Sequence, residues 1–165
     1  MTLLAIVGIS VVLAKSGVVV FNWTDSEPRG LYRLTHQSTS DNDLGLICLT
    51  NTQEFPAISA GLNPGRGSCP SGFQPFLKRI YRPTPQHPLI FDQNGFWIDG
   101  HLLKNTRPLL RGKFGITFPR LAYGRYTDGI FAISDYHPRS YDSRYFGPIR
   151  PNQVVSFAAP LLVVP

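Results

Sequence analysis

A continuous apolar run at the N-terminus constrains this chain more than any other feature. Residues 2–21, TLLAIVGISVVLAKSGVVVF, contain one charged side chain, Lys15. A helix needs about 20 apolar residues to cross a bilayer, and no Ala-x-Ala-like cleavage site follows this run. The run predicts an N-terminal membrane anchor or signal segment over residues 1–21, with the anchor favoured, and a second unit over residues 22–165. A buried helix or strand of that unit is the alternative.

The rest of the chain has the composition of a turn-rich β domain. Its length of 165 residues suits one domain with a real core. Proline and glycine number 15 each, and both interrupt helices and supply turns. We therefore expect a mainly β fold. The 16 Lys and Arg against 10 Asp and Glu are scattered along the chain, which predicts a solvated basic surface rather than a nucleic-acid interface.

Several stretches show the features of β-strands and tight turns. Asn94-Gly95 and Asp99-Gly100 can each supply the positive φ angles of a hairpin turn. A Pro-, Gly- and Ser-rich segment, residues 51–75, predicts a long surface excursion. The predicted strands lie in GLYRL, LGLICLT, PFLKRIYRP, the segment PLIFDQNGFWIDGHLL with its two hairpins, the strand pair of RLAYGRYTDGIFAISDY, and NQVVSFAAPLLVVP.

Two cysteines are separated by 21 positions, Cys48 and Cys69. In an oxidising compartment they could form one disulfide, and two buried free thiols are the alternative. Neither cysteine has a Cys or His neighbour at ligand spacing, so the sequence predicts no zinc site.

Two residues stand out as candidates for catalysis. Ser26 lies in the turn-forming segment TDSEPRGLYRL, where Pro28 and Gly30 could project its side chain. Lys78 lies within the apolar strand PFLKRIYRP, and burial of an ammonium favours its neutral form, which can act as a general base. None of the four histidines is placed in a recognisable triad motif. Read alone, the serine is a turn residue and the lysine a solvent-facing strand residue.

Three stretches together change that interpretation. SEPRG (Ser26–Gly30), LKRIY (Leu77–Tyr81) and SYDSRYFG (Ser140–Gly147) occur in the order of the conserved boxes of bacterial type I signal peptidases, which the chain resembles from residue 22 to residue 149. The compact SEPRGLY box, the SCPSGFQPFLKRI segment and the absence of a large inserted cap resemble the TraF-type peptidases of conjugative transfer systems in particular. The resemblance implies a signal-peptidase-like antiparallel β fold behind an N-terminal membrane-anchor helix.

The resemblance also implies the catalytic roles. Ser26 would be the nucleophile and Lys78 the general base, with no metal or cofactor. The backbone N–H of Ser26 and the hydroxyl of Thr24 would form the oxyanion hole.

Supporting roles are implied for the late box. Ser140 would position the lysine amine, and Asp142 and Arg144 would form an ion pair within the box. Asp142 is also the first candidate for the acidic residue that TraF-type enzymes need, with Asp135 as the second.

The implied function is that of a membrane-anchored serine endopeptidase of the inner membrane, with its catalytic domain in the periplasm. Its substrate would be the pilin precursor of a conjugative transfer system, which it would cleave and join into a ring. A general type I signal peptidase and a catalytically inactive periplasmic β module of a secretion channel are the alternatives. An exported domain would bridge Cys48 and Cys69. No nucleic-acid partner is expected.

Overall fold

The computed structural model of this protein describes residues 18–38, 43–53, 65–111 and 117–164. Most of the apolar run, and with it the predicted anchor helix, lies outside these ranges. In the part of the chain that is described, no helix has the length and apolar character needed to cross a membrane.

The prediction of a mainly β, antiparallel fold is confirmed. One short helix, α1 (Ser143–Phe146), and a 3₁₀ turn, Pro151–Gln153, accompany the strands, and residues 51–53 are also helical. The described residues form ten strands: β1 (Val19–Asn22), β2 (Arg29–Thr35), β3 (Leu44–Ile47), β4 (Phe76–Tyr81), β5 (Leu89–Asp92), β6 (Gly95–Ile98), β7 (His101–Leu102), β8 (Gly124–Tyr126), β9 (Phe131–Ile133) and β10 (Val154–Val164).

The first strand is formed by the end of the apolar run. Val19–Asn22 pairs antiparallel with β2, with Val19 opposite Arg33 and Asn22 opposite Gly30. β-branched valines favour this extended conformation. The folded domain therefore includes Val19–Asn22, whereas the sequence placed its start at residue 22.

Six strands form the larger sheet, in the order β1-β2-β10-β3-β4-β9. The C-terminal strand β10 pairs with both β2 and β3, and its register shifts between Pro160 and Leu162. A bulge is one of the few places where a sheet accepts proline, which cannot donate to the ladder. Gly30 of β2 faces this irregularity with φ at 143°, and a Cβ there would lie 2.1 Å from the carbonyl oxygen of Leu162. Only glycine fits, which explains the last residue of SEPRG.

The smaller sheet has four strands in the order β7-β6-β5-β8. Both predicted hairpins are present: β5 pairs with β6 across residues 93–94, and β6 pairs with β7 across Asp99 and Gly100, whose φ angles are 49° and 78°. The predicted strand pair in RLAYGRYTDGIFAISDY is wrong, because β8 pairs with β5 while β9 pairs with β4 of the other sheet.

Apolar clusters hold these layers together. Strands β4 and β9 contribute Tyr81, Phe131 and Ile133 to one cluster, which they share with Leu89, Phe91 and Phe96 of the smaller sheet. A second cluster packs Tyr141, Tyr145 and Ile149, around α1, on Ile47, Ile80 and Ala132 of the larger sheet. The segment that carries the late sequence box is thereby fixed against β4, the strand that carries Lys78.

Candidate active site

The loop that carries Ser26 is built around the side chain of Asn22. Its amide Nδ2 donates to the carbonyl oxygens of Thr24 at 3.1 Å, Glu27 at 2.8 Å and Pro28 at 3.1 Å. Its Oδ1 accepts the backbone N–H and the hydroxyl of Thr24, at 3.1 and 2.8 Å. Asn22 is buried, so these bonds form away from solvent, where they give the loop one conformation.

Thr24 therefore has a different role from the predicted one. The hydroxyl of its exposed side chain donates its one proton to Oδ1 of Asn22. A hydroxyl has a single donor, so in this geometry Thr24 holds the loop rather than offering a donor to an oxyanion.

Two serines of the segment after β9 hold Ser26 from the other side. The buried hydroxyl of Ser134 donates to the carbonyl oxygen of Ser26, and Ser140 Oγ lies 3.2 Å from Ser26 Oγ. Ser140 thus contacts the predicted nucleophile itself, across more than 100 positions of sequence. The partly exposed Ser26 side chain and Ser140 of the late box therefore meet in space.

Lys78 is buried in the centre of β4, with 1 % of its surface exposed. Burial lowers the pKa of its amine to about 8, the negative charges of Asp142 and Glu27 act in the opposite direction, and the positive charge of Arg144 lowers it further. No hydrogen bond joins the side chains of Ser26 and Lys78, both of which are described. Catalytic hydrogen bonds often tighten only when substrate is bound.

The Asp142–Arg144 pair is the most completely bonded group of the site. Both side chains are fully buried, and Arg144 donates from Nε at 2.8 Å and Nη2 at 2.9 Å to the two oxygens of Asp142. The backbone N–H groups of Arg144 and Ser134 fill the remaining positions of the carboxylate, each at 3.1 Å.

Arg144 also gathers the surrounding backbone. Its guanidinium donates to the carbonyl oxygens of Asn105, Arg107, Pro138 and Ser140 at 2.9 to 3.2 Å. Because Asp142 already accepts four hydrogen bonds, it has no free position for a proton from substrate. The predicted ion pair is therefore present, whereas the geometry gives Asp142 a structural and electrostatic role.

Asp135, the second candidate acid, lies at the edge of the site. Its Oδ1 accepts from Arg79 Nε at 3.1 Å, and both side chains are about one-third exposed. Arg79 follows Lys78 in β4, so Asp135 faces the neighbour of the predicted base.

Glu27 has no counterpart among the residues that the sequence predicted. It follows Ser26 and is fully buried, and neither carboxyl oxygen has a hydrogen-bond partner. Burial raises the pKa of Glu27 to about 7, against the lowering effect of Arg79 and Lys78. The sequence carries no signal for this, because a glutamate in a Pro- and Gly-containing turn is normally solvated. The sequence also gives no signal for Asn22 and Ser134, because their roles depend on contacts that only the fold creates.

Other features take no part in the contacts described above. Cys48 and Cys69 are bonded, with their Cα atoms 5.4 Å apart, and join the end of β3 to the loop before β4. A cleft of about 360 Å³ is lined by residues between Tyr81 and Asp99, and none of the predicted catalytic residues lines it. Within the described ranges, no three His, Cys, Asp or Glu side chains are grouped so that they could hold a metal.

Comparison with known proteins shows that the sequence of this chain is similar to those of plasmid transfer and conjugal transfer proteins. The chain is 28 % identical over 144 residues to plasmid transfer protein TraF of Escherichia coli, covering 86 % of this chain and 80 % of the relative. It is 29 % identical over 142 residues to conjugal transfer protein TraF of Agrobacterium fabrum, covering 85 % and 80 %. It is 30 % identical over 144 residues to the probable conjugal transfer protein TraF of Sinorhizobium fredii, covering 86 % and 75 %.

The chain belongs to the TraF family of conjugal transfer proteins. No protein-family model matches it. The family gives the protein a role in conjugative transfer, and the site described above suggests what that role consists of.

Proposed function

We propose that this protein is a membrane-anchored serine endopeptidase that cleaves the pilin precursor of a conjugative transfer system and joins the product into a ring. The observation that carries the proposal is the buried Lys78 amine, with a pKa of about 8, together with the contacts of Ser134 and Ser140 that hold Ser26. A lysine in this state can accept a proton at neutral pH, which an exposed lysine cannot do.

The chemistry follows from these groups. Ser26 Oγ attacks the scissile carbonyl carbon while the neutral Lys78 amine takes the hydroxyl proton, and the backbone N–H of Ser26 donates to the developing oxyanion. Collapse of the intermediate breaks the C–N bond, and the Lys78 ammonium returns the proton to the departing amine. An ester on Ser26 remains, and Lys78 is again neutral.

The ester can then react with water or with an amine. Water is the solvent and competes for the ester, so an amine succeeds only if it is held beside the ester. Well-oriented groups can reach effective molarities of roughly 10⁵ M or more. In our proposal the pilin's own N-terminus is that amine. Lys78 takes a proton from it as the new C–N bond forms, and the Ser26 oxygen leaves with a proton from Lys78.

The arrangement of the chain suits a substrate at the bilayer surface. The end of the apolar run forms most of β1, and the Ser26 loop follows β1 after a few residues. An inner-membrane anchor would keep the domain on the periplasmic face, close to the cleavage site of a membrane-embedded pilin precursor. The disulfide between Cys48 and Cys69 suits that oxidising compartment.

Co-expression with the pilin precursor of the same transfer system, followed by intact-mass measurement of the pilin, tests the proposal. Cyclic pilin should be lighter than the linear processed chain by one water and should resist Edman degradation. With Ser26→Ala the precursor should accumulate uncleaved. A mature pilin of linear mass with a free N-terminus would reduce the enzyme to a hydrolase. Equal maturation by wild type and Ser26→Ala would leave the inactive β module as the better interpretation.

A further inference from the structure

Glu27 is a buried ionisable group that the proposed chemistry leaves without a role. Buried polar groups are nearly always hydrogen-bonded, because removing an unpaired one from water costs free energy. Glu27 breaks this rule twice, with two unpartnered oxygens on a side chain that has no exposed surface. A residue in this condition is a candidate for a role in the site rather than in the fold.

The groups around Glu27 define that role. Strand β4 contributes Arg79, whose Nη2 lies 4.0 Å from Oε2, beyond hydrogen-bond distance, and Lys78, which interacts with Glu27 through its charge. The segment after β9 contributes the charges of Asp135 and Asp142.

Strand β2 contributes Tyr32. Its hydroxyl donates to the carbonyl oxygen of Pro28 at 2.6 Å, and burial raises the pKa of Tyr32 to about 12. Tyr32 is therefore uncharged near neutral pH. The positive charges that face Glu27 are those of β4, where the predicted base lies.

Glu27 and Arg79 occupy equivalent positions in the sequence, each directly after a predicted catalytic residue. Glu27 follows the predicted nucleophile, and Arg79 follows the predicted base. Arg79 is held through its Nε by Asp135 at 3.1 Å, and its Nη2 stays 4.0 Å from the Glu27 carboxyl, too far for a hydrogen bond. A carboxylate that is adjacent to Ser26, buried and incompletely paired acts on Lys78 with little screening by water.

We propose that Glu27 is a positioning residue of the Ser26/Lys78 dyad, and that its charge, added to that of Asp142, helps to hold the proton on Lys78. The inference rests on the proposed peptidase function and adds a group that controls the base. An ionised Glu27 favours the protonated form of Lys78. Protonation of Glu27 removes that effect and makes the neutral amine easier to form.

The consequence is a coupled titration. Glu27 and Lys78 titrate close together, and a proton bound to either weakens the binding of a proton to the other. As the pH falls, protonation of Glu27 removes a negative charge and thereby keeps part of Lys78 neutral. Lys78 should therefore titrate over a wider pH range than an isolated amine does.

Direct titration of the lysine amines tests this without a substrate. The full-length protein contains four lysines, which can be followed in detergent micelles by NMR of ¹³Cε-labelled lysine, with Lys78→Arg assigning the Lys78 signal. Removing the Glu27 charge in Glu27→Gln should lower the pKa of Lys78 and narrow its titration to that of a single group. Glu27→Asp should keep both closer to wild type.

Asp99→Asn is the matched control, because it removes a carboxylate from an exposed turn of the smaller sheet. It should leave the Lys78 titration unchanged. An unchanged Lys78 titration in Glu27→Gln would overturn the inference, as would an equal shift in Asp99→Asn.

Activity supplies a second, separable measurement. The acidic limb of kcat/KM for pilin processing should move to lower pH in Glu27→Gln, whereas a purely structural role would lower activity without moving the limb. A limb that does not move contradicts the inference and leaves the proposed function intact. Full processing by Ser26→Ala would overturn the proposed function, while the NMR titration would still decide the effect of Glu27 on Lys78.

Discussion

Two buried carboxyls near Lys78 are treated in opposite ways by the fold. Asp142 accepts four hydrogen bonds from Arg144 and Ser134, whereas the oxygens of Glu27 accept none. Both are fully shielded from solvent. A satisfied ion pair keeps its charge and fixes the backbone around it. An unsatisfied carboxyl with a raised pKa can change its charge near neutral pH. Asp142 of the late box therefore fixes the surrounding backbone, whereas the charge of Glu27 in the Ser26 loop can change with pH.

The largest expected effect is that of a substitution at Lys78, whose charge Glu27 influences. Lys78→Arg should reduce pilin processing below detection, by at least about 10³-fold, because guanidinium stays protonated and cannot accept the Ser26 proton. Pilin mass spectra after co-expression measure this. Lys104→Arg, an exposed lysine of the same chain, is the matched control and should process normally, as should His87→Ala. Processing by Lys78→Arg at the wild-type rate would exclude Lys78 as the base.

In the late box, removal of the Asp142 charge should lower the free energy of unfolding. Asp142→Asn leaves the buried Arg144 guanidinium uncompensated, and breaking such a pair typically costs about 3 to 5 kcal/mol. Urea unfolding measures the change in the free energy of unfolding. Asp25→Asn, which breaks the exposed pair with Arg29, should cost less than about 1 kcal/mol and provides the control. Equal effects of the two substitutions would remove the distinction between the two regions.

The disulfide should contribute slightly less than the ion pair. Closing a loop of 21 residues between Cys48 and Cys69 corresponds to about 3 kcal/mol in the chain-entropy model. Double substitution to serine should lower the free energy of unfolding by about that amount. Thiol titration of the denatured, unreduced protein should find no free thiol, and two free thiols would refute the bridge.

Removal of the Glu27 charge should act in the opposite direction from removal of the Asp142 charge. The pKa of Glu27 is about 7 in the folded protein, against 4.5 as its ordinary value, so the folded state binds this proton more tightly than the unfolded chain does. The stability that Glu27 contributes is therefore present below pH 4.5 and is lost as the pH rises through 7.

Glu27→Gln should consequently be more stable than wild type at pH 8. The difference 7 − 4.5 = 2.5 sets an upper limit of about 3 kcal/mol for this gain. Thermal unfolding at pH 5 and pH 8 measures it, and the gap between the two proteins should be much smaller at pH 5 than at pH 8. A destabilised Glu27→Gln at pH 8 would show that the carboxyl supports the fold as Asp142 does.

Much of the fold could be predicted because its signals are local. Alternating apolar residues and the Asn-Gly and Asp-Gly turns indicate the strands of β4 to β7 within the chain. Partner choice carries no such signal, which is why the β8 and β9 prediction failed. Strands of three residues are too short for their sequence to specify a partner. The pairing depends instead on the burial of Phe131 and Ile133 against residues of both sheets.

The site divides in the same way. Short sequence boxes single out Ser26, Lys78, Ser140 and the Asp142–Arg144 pair as candidates, and their catalytic roles stay predictions. The roles of Asn22, Ser134 and Glu27 could not be predicted, since each depends on a contact or on burial that only the folded chain creates. Ser134 meets Ser26 across 108 positions. Thr24 shows the converse error, because a hydroxyl near the nucleophile was predicted to face the substrate and instead bonds to the loop's own asparagine.

The pH dependence of pilin processing tests the central claim, that a neutral Lys78 activates Ser26. The burial that lowers the pKa of Lys78 to about 8 predicts that kcat/KM rises as the pH increases from about 6 through 8, because the neutral amine is the active form. The measurement is kcat/KM for wild type, with Ser26→Ala as the blank. A rise that levels off above the pKa of Lys78 agrees with the account, and a rate independent of pH from about 5 to 9 contradicts it.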